Sequence, residues 1–122
     1  MRVLVIEDDL SIRETLAIVL EAYDHQADLV DTEEKALQYL SVQWPDVMLL
    51  DLTLQGISGE EVYQSILTRF KRVPPTVVLS AAQQGESRAR HLPGAWFLSK
   101  PYTIEQLMEI IETASVANRG AA

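Results

Sequence analysis

The sequence predicts an α/β protein, a doubly wound (βα)5 sheet, and three observations lead there. Short β-rich apolar runs recur at Arg2–Ile6, Val47–Leu50 and Thr76–Leu79, with weaker ones at Ala27–Val30 and Trp96–Ser99, and stretches of helical spacing lie between them. Within these runs Val3–Ile6, Val47–Leu50 and Val77–Leu79 are continuously apolar, as strands covered on both faces are. Regular strand–helix alternation implies right-handed crossovers, and hence a five-stranded parallel sheet with helices on both sides.

In chain order, the run at Arg2–Ile6 is followed by Ile12, Leu16, Val19, Leu20 and Tyr23, which share one face of a first helix. Ala27–Val30 is more polar than the other runs and suits an edge strand. Ala36, Leu37 and Leu40 mark the second helix, and Val62, Ile66, Leu67 and Phe70 the third. A fourth helix at Glu86–Leu92 is short, Arg-rich and weakly patterned. Ile104, Leu107, Met108, Ile111 and Ala114 form the last apolar stripe. Three helices open with a capping box, the pairs being Ser11/Glu14, Ser58/Glu61 and Thr103/Gln106. Pro45, Pro74 and Pro75 stand just before predicted strands, where the chain must turn. The reading is one domain over residues 1–116, with 117–122 as a frayed tail or the start of a linker.

Composition narrows the function classes. A chain of 122 residues with 48% hydrophobic and 23% charged residues fits one domain with a real core. It has no cysteine, which excludes disulfides and thiolate metal sites. The apolar run after Met1 is too short for a secretory leader, and none approaches a membrane span, so the expectation is a cytoplasmic protein without a membrane partner. The net charge of −8 argues against direct nucleic-acid binding through this domain, which needs a basic stripe.

Ligands of an open parallel sheet bind beyond the carboxyl ends of its strands. There the sequence places Glu7-Asp8-Asp9 after the first strand, Asp51 after the third, Ser80 after the fourth, and Lys100 followed by Pro101 after the fifth. Each has a plainer explanation alone. Asp9 can be a first-turn acid favoured by the helix dipole, Ser80 a turn former, and Lys100-Pro101 punctuation before a helix. Asp51 is harder to dismiss, because it directly follows an apolar strand where an unpaired carboxylate is costly to desolvate. Taken together, hard oxygen ligands suit Mg²⁺, a carboxylate can be a nucleophile toward phosphorus, and a lysine can neutralise charge on a transferring phosphoryl group.

At these residues the sequence resembles the response-regulator receiver family of two-component signalling, from Arg2 to about Val116. The resemblance is carried by RVLVIEDDLSIRETL, PDVMLLDLTLQGISGEEV, TVVLSAAQ and GAWFLSKPYTIEQL. It implies a chemotaxis-regulator-like, flavodoxin-like sheet of order 2-1-3-4-5. Asp51 would be the phosphorylated aspartate. Asp8 would ligate Mg²⁺ directly and Glu7 through water, with Asp51 and the Thr53 backbone carbonyl as further ligands. Ser80 and Lys100 would contact the phosphoryl group, Ser80 and Phe97 would form the switch, and Lys100–Pro101 would be a cis peptide. The implied protein is a phospho-acceptor regulator with slow autophosphatase activity rather than an enzyme. Its donor would be a histidine kinase or phosphotransfer protein. Its partners would be an output domain or target protein, and a second copy in a homodimer, met by the face of the fourth helix, fifth strand and last helix.

Three positions depart from the family pattern. Gln55 stands where proline is usual, Leu10 replaces a frequent proline, and the stretch from Ser80 to Lys100 is about two residues short, with Trp96 alone in place of an acidic pair. A short or irregular fourth helix and an unconventional output face follow. His25 and His91 read as solvated, Trp44 as a loop residue packed on the core, and Trp96 as either core or partner contact. Arg69, Lys71 and Arg72 read as the polar end of the third helix. Two competing functions are a degenerate receiver that only binds, and a haloacid-dehalogenase-type phosphatase. The latter requires a second aspartate where Thr53 stands.

Overall fold

The computed structural model describes residues 1–52, 58–80, 92 and 94–120. The strands are β1 (Arg2–Ile6), β2 (Gln26–Val30), β3 (Val47–Asp51), β4 (Thr76–Ser80) and β5 (Ala95–Ser99). The helices described are α1 (Leu10–Ala22), α2 (Glu33–Val42), α3 (Gly59–Phe70) and, at the C-terminal end, α4 (Ile104–Gly120). All pairings are parallel and the order is β2-β1-β3-β4-β5. This is the flavodoxin-like arrangement that the sequence implies, with the more polar β2 at an edge. The fourth helix expected at Glu86–Leu92 lies, but for Leu92, outside the described residues.

Strand alternation splits the core into two layers. On one face Val3, Val5, Val47, Leu49, Val77 and Leu79 pack against Leu16 and Leu20 of α1 and Leu107, Ile111 and Ala114 of α4. On the other Leu4, Ile6, Met48, Leu50 and Val78 meet Ala36 and Leu40 of α2, Val62, Tyr63 and Ile66 of α3, and Leu92. β3 and β4 are buried throughout, and each fully buried aliphatic side chain contributes about 1.5–3 kcal/mol. Among the described residues no helix is long and apolar enough to cross a membrane.

Helix starts follow the expected chemistry at two of the three boxes. The Ser58 hydroxyl accepts from the Glu61 N–H at 3.1 Å. Thr103 and Gln106 form the reciprocal box, Thr103 Oγ1 accepting from Gln106 N–H at 3.1 Å and Gln106 Oε1 from Thr103 N–H at 2.9 Å. The first helix corrects the reading: its cap is Asp9, whose Oδ1 accepts from the Ile12 N–H at 3.0 Å, and Ser11 lies inside the first turn. Two residues separate β1 from Asp9, so the chain must already be turning before Ser11 is reached. The apolar stripe of α1 is also narrower than its spacing suggests, since Ile12 and Tyr23 are exposed while Leu16 and Leu20 are buried. At the C-terminus α4 runs through Gly120. Ala114 and Ser115 are buried, whereas Val116 and Ala117 are exposed.

One polar reading changes. His25 is partly buried rather than solvated, its Nδ1 3.1 Å from the Met1 ammonium. Burial, then the neighbouring ammonium, holds its pKa below the ordinary histidine value. Trp44 does pack on the core, edge-on to Phe70, and the exposed Arg72 lies over its ring at 4.2 Å. Trp96 packs against the α1/α4 layer. His91 lies outside the described residues.

Gly59 opens α3 directly against the end of β3. A Cβ there would stand 2.8 Å from the Asp51 carbonyl oxygen and 2.9 Å from Leu52 Cδ2. Replacing Gly59 with alanine is therefore expected to cost about 1–3 kcal/mol through overpacking, read as a lower urea midpoint with an unchanged m-value.

Candidate functional site

Register builds the site. Ile6 is level with Leu50, so Glu7, the next residue along, comes level with Asp51. Asp51 is level with Leu79, and Leu79 with Leu98. Alternation puts Glu7, Asp51 and Lys100 one step beyond Val5, Leu49 and Leu98, at the end of the apolar rows of the α1/α4 layer. Backbone bonds carry the order past the strand ends: Glu7 N–H donates to Val30 O at 3.1 Å, Leu52 N–H to Leu79 O at 3.1 Å, and Lys100 N–H to Ser80 O at 2.9 Å.

The central contact is an ion pair. Lys100 Nζ donates to Asp51 Oδ2 at 2.7 Å, with the Asp51 side chain only 3% exposed and the Lys100 side chain 23%. Burial disfavours the ammonium, but the hydrogen bond and charge of Asp51, supported by Glu7, leave the Lys100 pKa above its ordinary value. Tyr102, half-buried beside them, has its phenol raised by burial, an effect that the Lys100 charge opposes and the Asp51 charge reinforces.

Glu7 is the uncompensated member. It is buried, its Oε1 accepts from the Asp9 N–H at 3.1 Å, and its Oε2 makes no hydrogen bond. Burial first, then the adjoining Asp51 carboxylate, raises its pKa to about 8, against the pull of the Asp9 N–H. Asp8 is half-buried and its carboxylate also adjoins Glu7.

On the opposite face Ser80 ends β4 fully buried. Phe97 is level with Val78, two positions back on the neighbouring strand, and packs half-buried on the α2/α3 layer. The structure thus brings Glu7, Asp8, Asp51 and Lys100 together, with Ser80 and Phe97 on the reverse face of the same strand ends. The Lys100–Pro101 peptide is cis. Thr53 lies outside the described residues. Sequence reasoning missed Arg13, whose Nη1 donates to the Glu7 carbonyl oxygen at 2.9 Å. The only signal for it was a basic residue within an otherwise acidic strand–helix junction.

Among the described residues no group of three or more His, Cys, Asp or Glu side chains forms a metal cage by itself. Mg²⁺ usually takes one or two carboxylates and completes its octahedron with water and phosphate oxygens. The orphaned Oε2 of Glu7 beside Asp51 is the feature a divalent cation would satisfy.

Residues 3–112 match the response regulator receiver domain family. The chain belongs to that family. It is a receiver domain of two-component signalling, a class of regulators rather than classical enzymes. It is 34% identical over 114 residues to the Phosphate regulon transcriptional regulatory protein PhoB of Escherichia coli, covering 91% of this chain and 50% of that protein. The chain therefore spans about half the length of the curated relatives it matches. Among solved structures, the N-terminal domain of a response regulator/sensory box/GGDEF 3-domain protein from Carboxydothermus hydrogenoformans superposes with a TM-score of 0.85 at 25% identity, covering 99% of this chain and 98% of that one. The receiver domain of sensor histidine kinase PA1611 from Pseudomonas aeruginosa, which holds a magnesium ion in its active-site cleft, shares the fold with a TM-score of 0.81 at 23% identity, covering 93% and 96%.

The raised Glu7 pKa has a stability consequence. The folded state holds this proton up to about pH 8, whereas an unfolded glutamate releases it near its ordinary value of 4.5. The stabilisation is full below pH 4.5 and is lost as pH rises toward 8, with a slope of up to about 1.4 kcal/mol per pH unit. Urea titrations in EDTA are expected to show that decline, and Glu7→Gln is expected to flatten it.

Proposed function

We propose that this receiver is a phosphorylation-operated switch in which Asp51 accepts a phosphoryl group from a phosphohistidine on a histidine kinase or phosphotransfer protein. The observation that carries the reading is the buried Asp51 carboxylate, held 2.7 Å from the Lys100 ammonium beside a second carboxylate with an unsatisfied oxygen. One Asp51 oxygen attacks phosphorus, a P–O bond forms as the P–N bond breaks, and the donor imidazole leaves. Lys100 neutralises charge on the equatorial oxygens as it builds.

Glu7, Asp8, Asp51 and the Thr53 carbonyl would hold Mg²⁺, Glu7 through water. When bound, Mg²⁺ supplies charge stabilisation for the phosphoryl oxygens and relieves the repulsion between the carboxylates. Ser80 then offers its hydroxyl to a phosphoryl oxygen, and Phe97 moves into the space this vacates. Their placement on one face of adjacent strands supports that coupling. The change reaches the surface of the fifth strand and its flanking helices, where an output domain, a target protein or a second copy would read it. Slow hydrolysis of the acyl phosphate resets the switch. With a net charge of −8, DNA contact is left to another domain or partner, as the half of each curated relative outside the match allows. The cytoplasm, where two-component kinases present phosphohistidine, is the proposed location.

Mg²⁺ with beryllium fluoride is expected to change the intrinsic fluorescence of the wild-type protein and to leave Asp51→Asn unchanged. A small phosphodonor such as phosphoramidate is expected to add one phosphate to the wild type and none to Asp51→Asn. Lys100→Ala is expected to be phosphorylated more slowly by about 100-fold or more, since one lost charge-stabilising donor costs about 3 kcal/mol of barrier. A response retained in Asp51→Asn would sink the assignment.

A further inference from the structure

β1 ends at Ile6, so the Glu7 carbonyl lies past the last paired residue of that strand. Arg13 supplies its donor, Nη1 to O at 2.9 Å. The same short stretch is closed by three more bonds. Arg13 N–H donates to Asp9 O at 2.9 Å, Asp9 N–H to Glu7 Oε1 at 3.1 Å, and Ile12 N–H to Asp9 Oδ1 at 3.0 Å. From Glu7 to Arg13 the chain is thus a hydrogen-bonded ring through which the first turn of α1 grips the acidic turn. Rotation of the Glu7–Asp8 peptide would break the Arg13 bond and move both carboxylates. The tie on Oε1 is what leaves Oε2 as the untethered oxygen in the pocket.

From this ring we propose that Arg13 is a positioning residue for the cation site: its hydrogen bond to the Glu7 carbonyl fixes the Glu7–Asp8 peptide so that the two carboxylates stay together beside Asp51. The inference rests on the Mg²⁺ reading given above and adds a residue outside the ligand set. It also makes a prediction of opposite sign to the simplest alternative. A guanidinium near an acidic pocket repels a cation, so if charge were its whole effect, removing it would tighten Mg²⁺ binding. If Arg13 positions the ligands, removing it loosens binding, and partners of metal ligands typically contribute about 10–100-fold in affinity.

The test is a Mg²⁺ titration of the full chain, followed by intrinsic fluorescence and by calorimetry, in wild type, Arg13→Ala and Arg13→Lys. The urea midpoint of each in EDTA reports folding. Arg13→Met, which keeps the aliphatic stem but donates nothing, replaces the alanine variant should that one unfold. The expected result is a Kd for Mg²⁺ weaker by about tenfold in the variant without a donor, largely restored in Arg13→Lys, with folded protein in each case. A Kd equal to or tighter than wild type in Arg13→Ala or Arg13→Met overturns the positioning role while leaving the cation site standing. No Mg²⁺ response in the wild type overturns the cation site itself, and the inference with it.

Discussion

The ion pair between Lys100 and Asp51 is the interaction on which the site depends. A carboxylate at the end of a completely buried strand is tolerable only with a cation or donors close by, and removing one partner of such a pair costs about 3–5 kcal/mol. Lys100 reaches Asp51 because β5 is in register with β4, and β4 with β3. Glu7 meets Asp51 because β1 is in register with β3. A one-residue slip in either pairing would send its side chain to the opposite face.

The layers give that register its rigidity. The apolar rows run without a break to the residue before each charged group, so the pocket floor is the end of the core itself. Low polarity beneath the carboxylates strengthens every electrostatic term above them. It explains both the elevated Lys100 and the proton affinity of Glu7. Burial disfavours the charged form of both groups; Asp51 then favours the ammonium, which recovers its cost through the pair, and opposes the second carboxylate, which cannot.

β1, β3 and β4 were legible as contiguous apolar runs, β2 as a more polar edge run, and the site because strand ends can be read once strands are placed. Ser58 and the Thr103/Gln106 pair were legible because capping is local chemistry. The errors arise where tertiary geometry decides. Asp9 displaced Ser11 as the cap because the β1–α1 turn is short. The Thr32 cap of α2 went unread beside two glutamates that fit a first turn equally well. Tyr63, absent from the apolar stripe expected for the third helix, is fully buried. Arg13 acts on a backbone carbonyl, a partner that no side-chain pattern encodes. His25 is shielded by the fold bringing Met1 beside the turn after α1, a contact between residues 24 apart.

Gly59 carries a different kind of consequence. Its backbone passes so near Asp51 and Leu52 that any side chain would collide with main chain or with a core leucine. It contributes no charge, donor or ligand to the pocket. A saturation screen scored on the proposed switching would nevertheless rank it with Asp51 and Lys100, because the same collision that destabilises the fold displaces the strand end carrying Asp51. At this position intolerance to mutation measures the closeness of two backbones, and a site map drawn from such scores alone would count a spacer among the chemical groups.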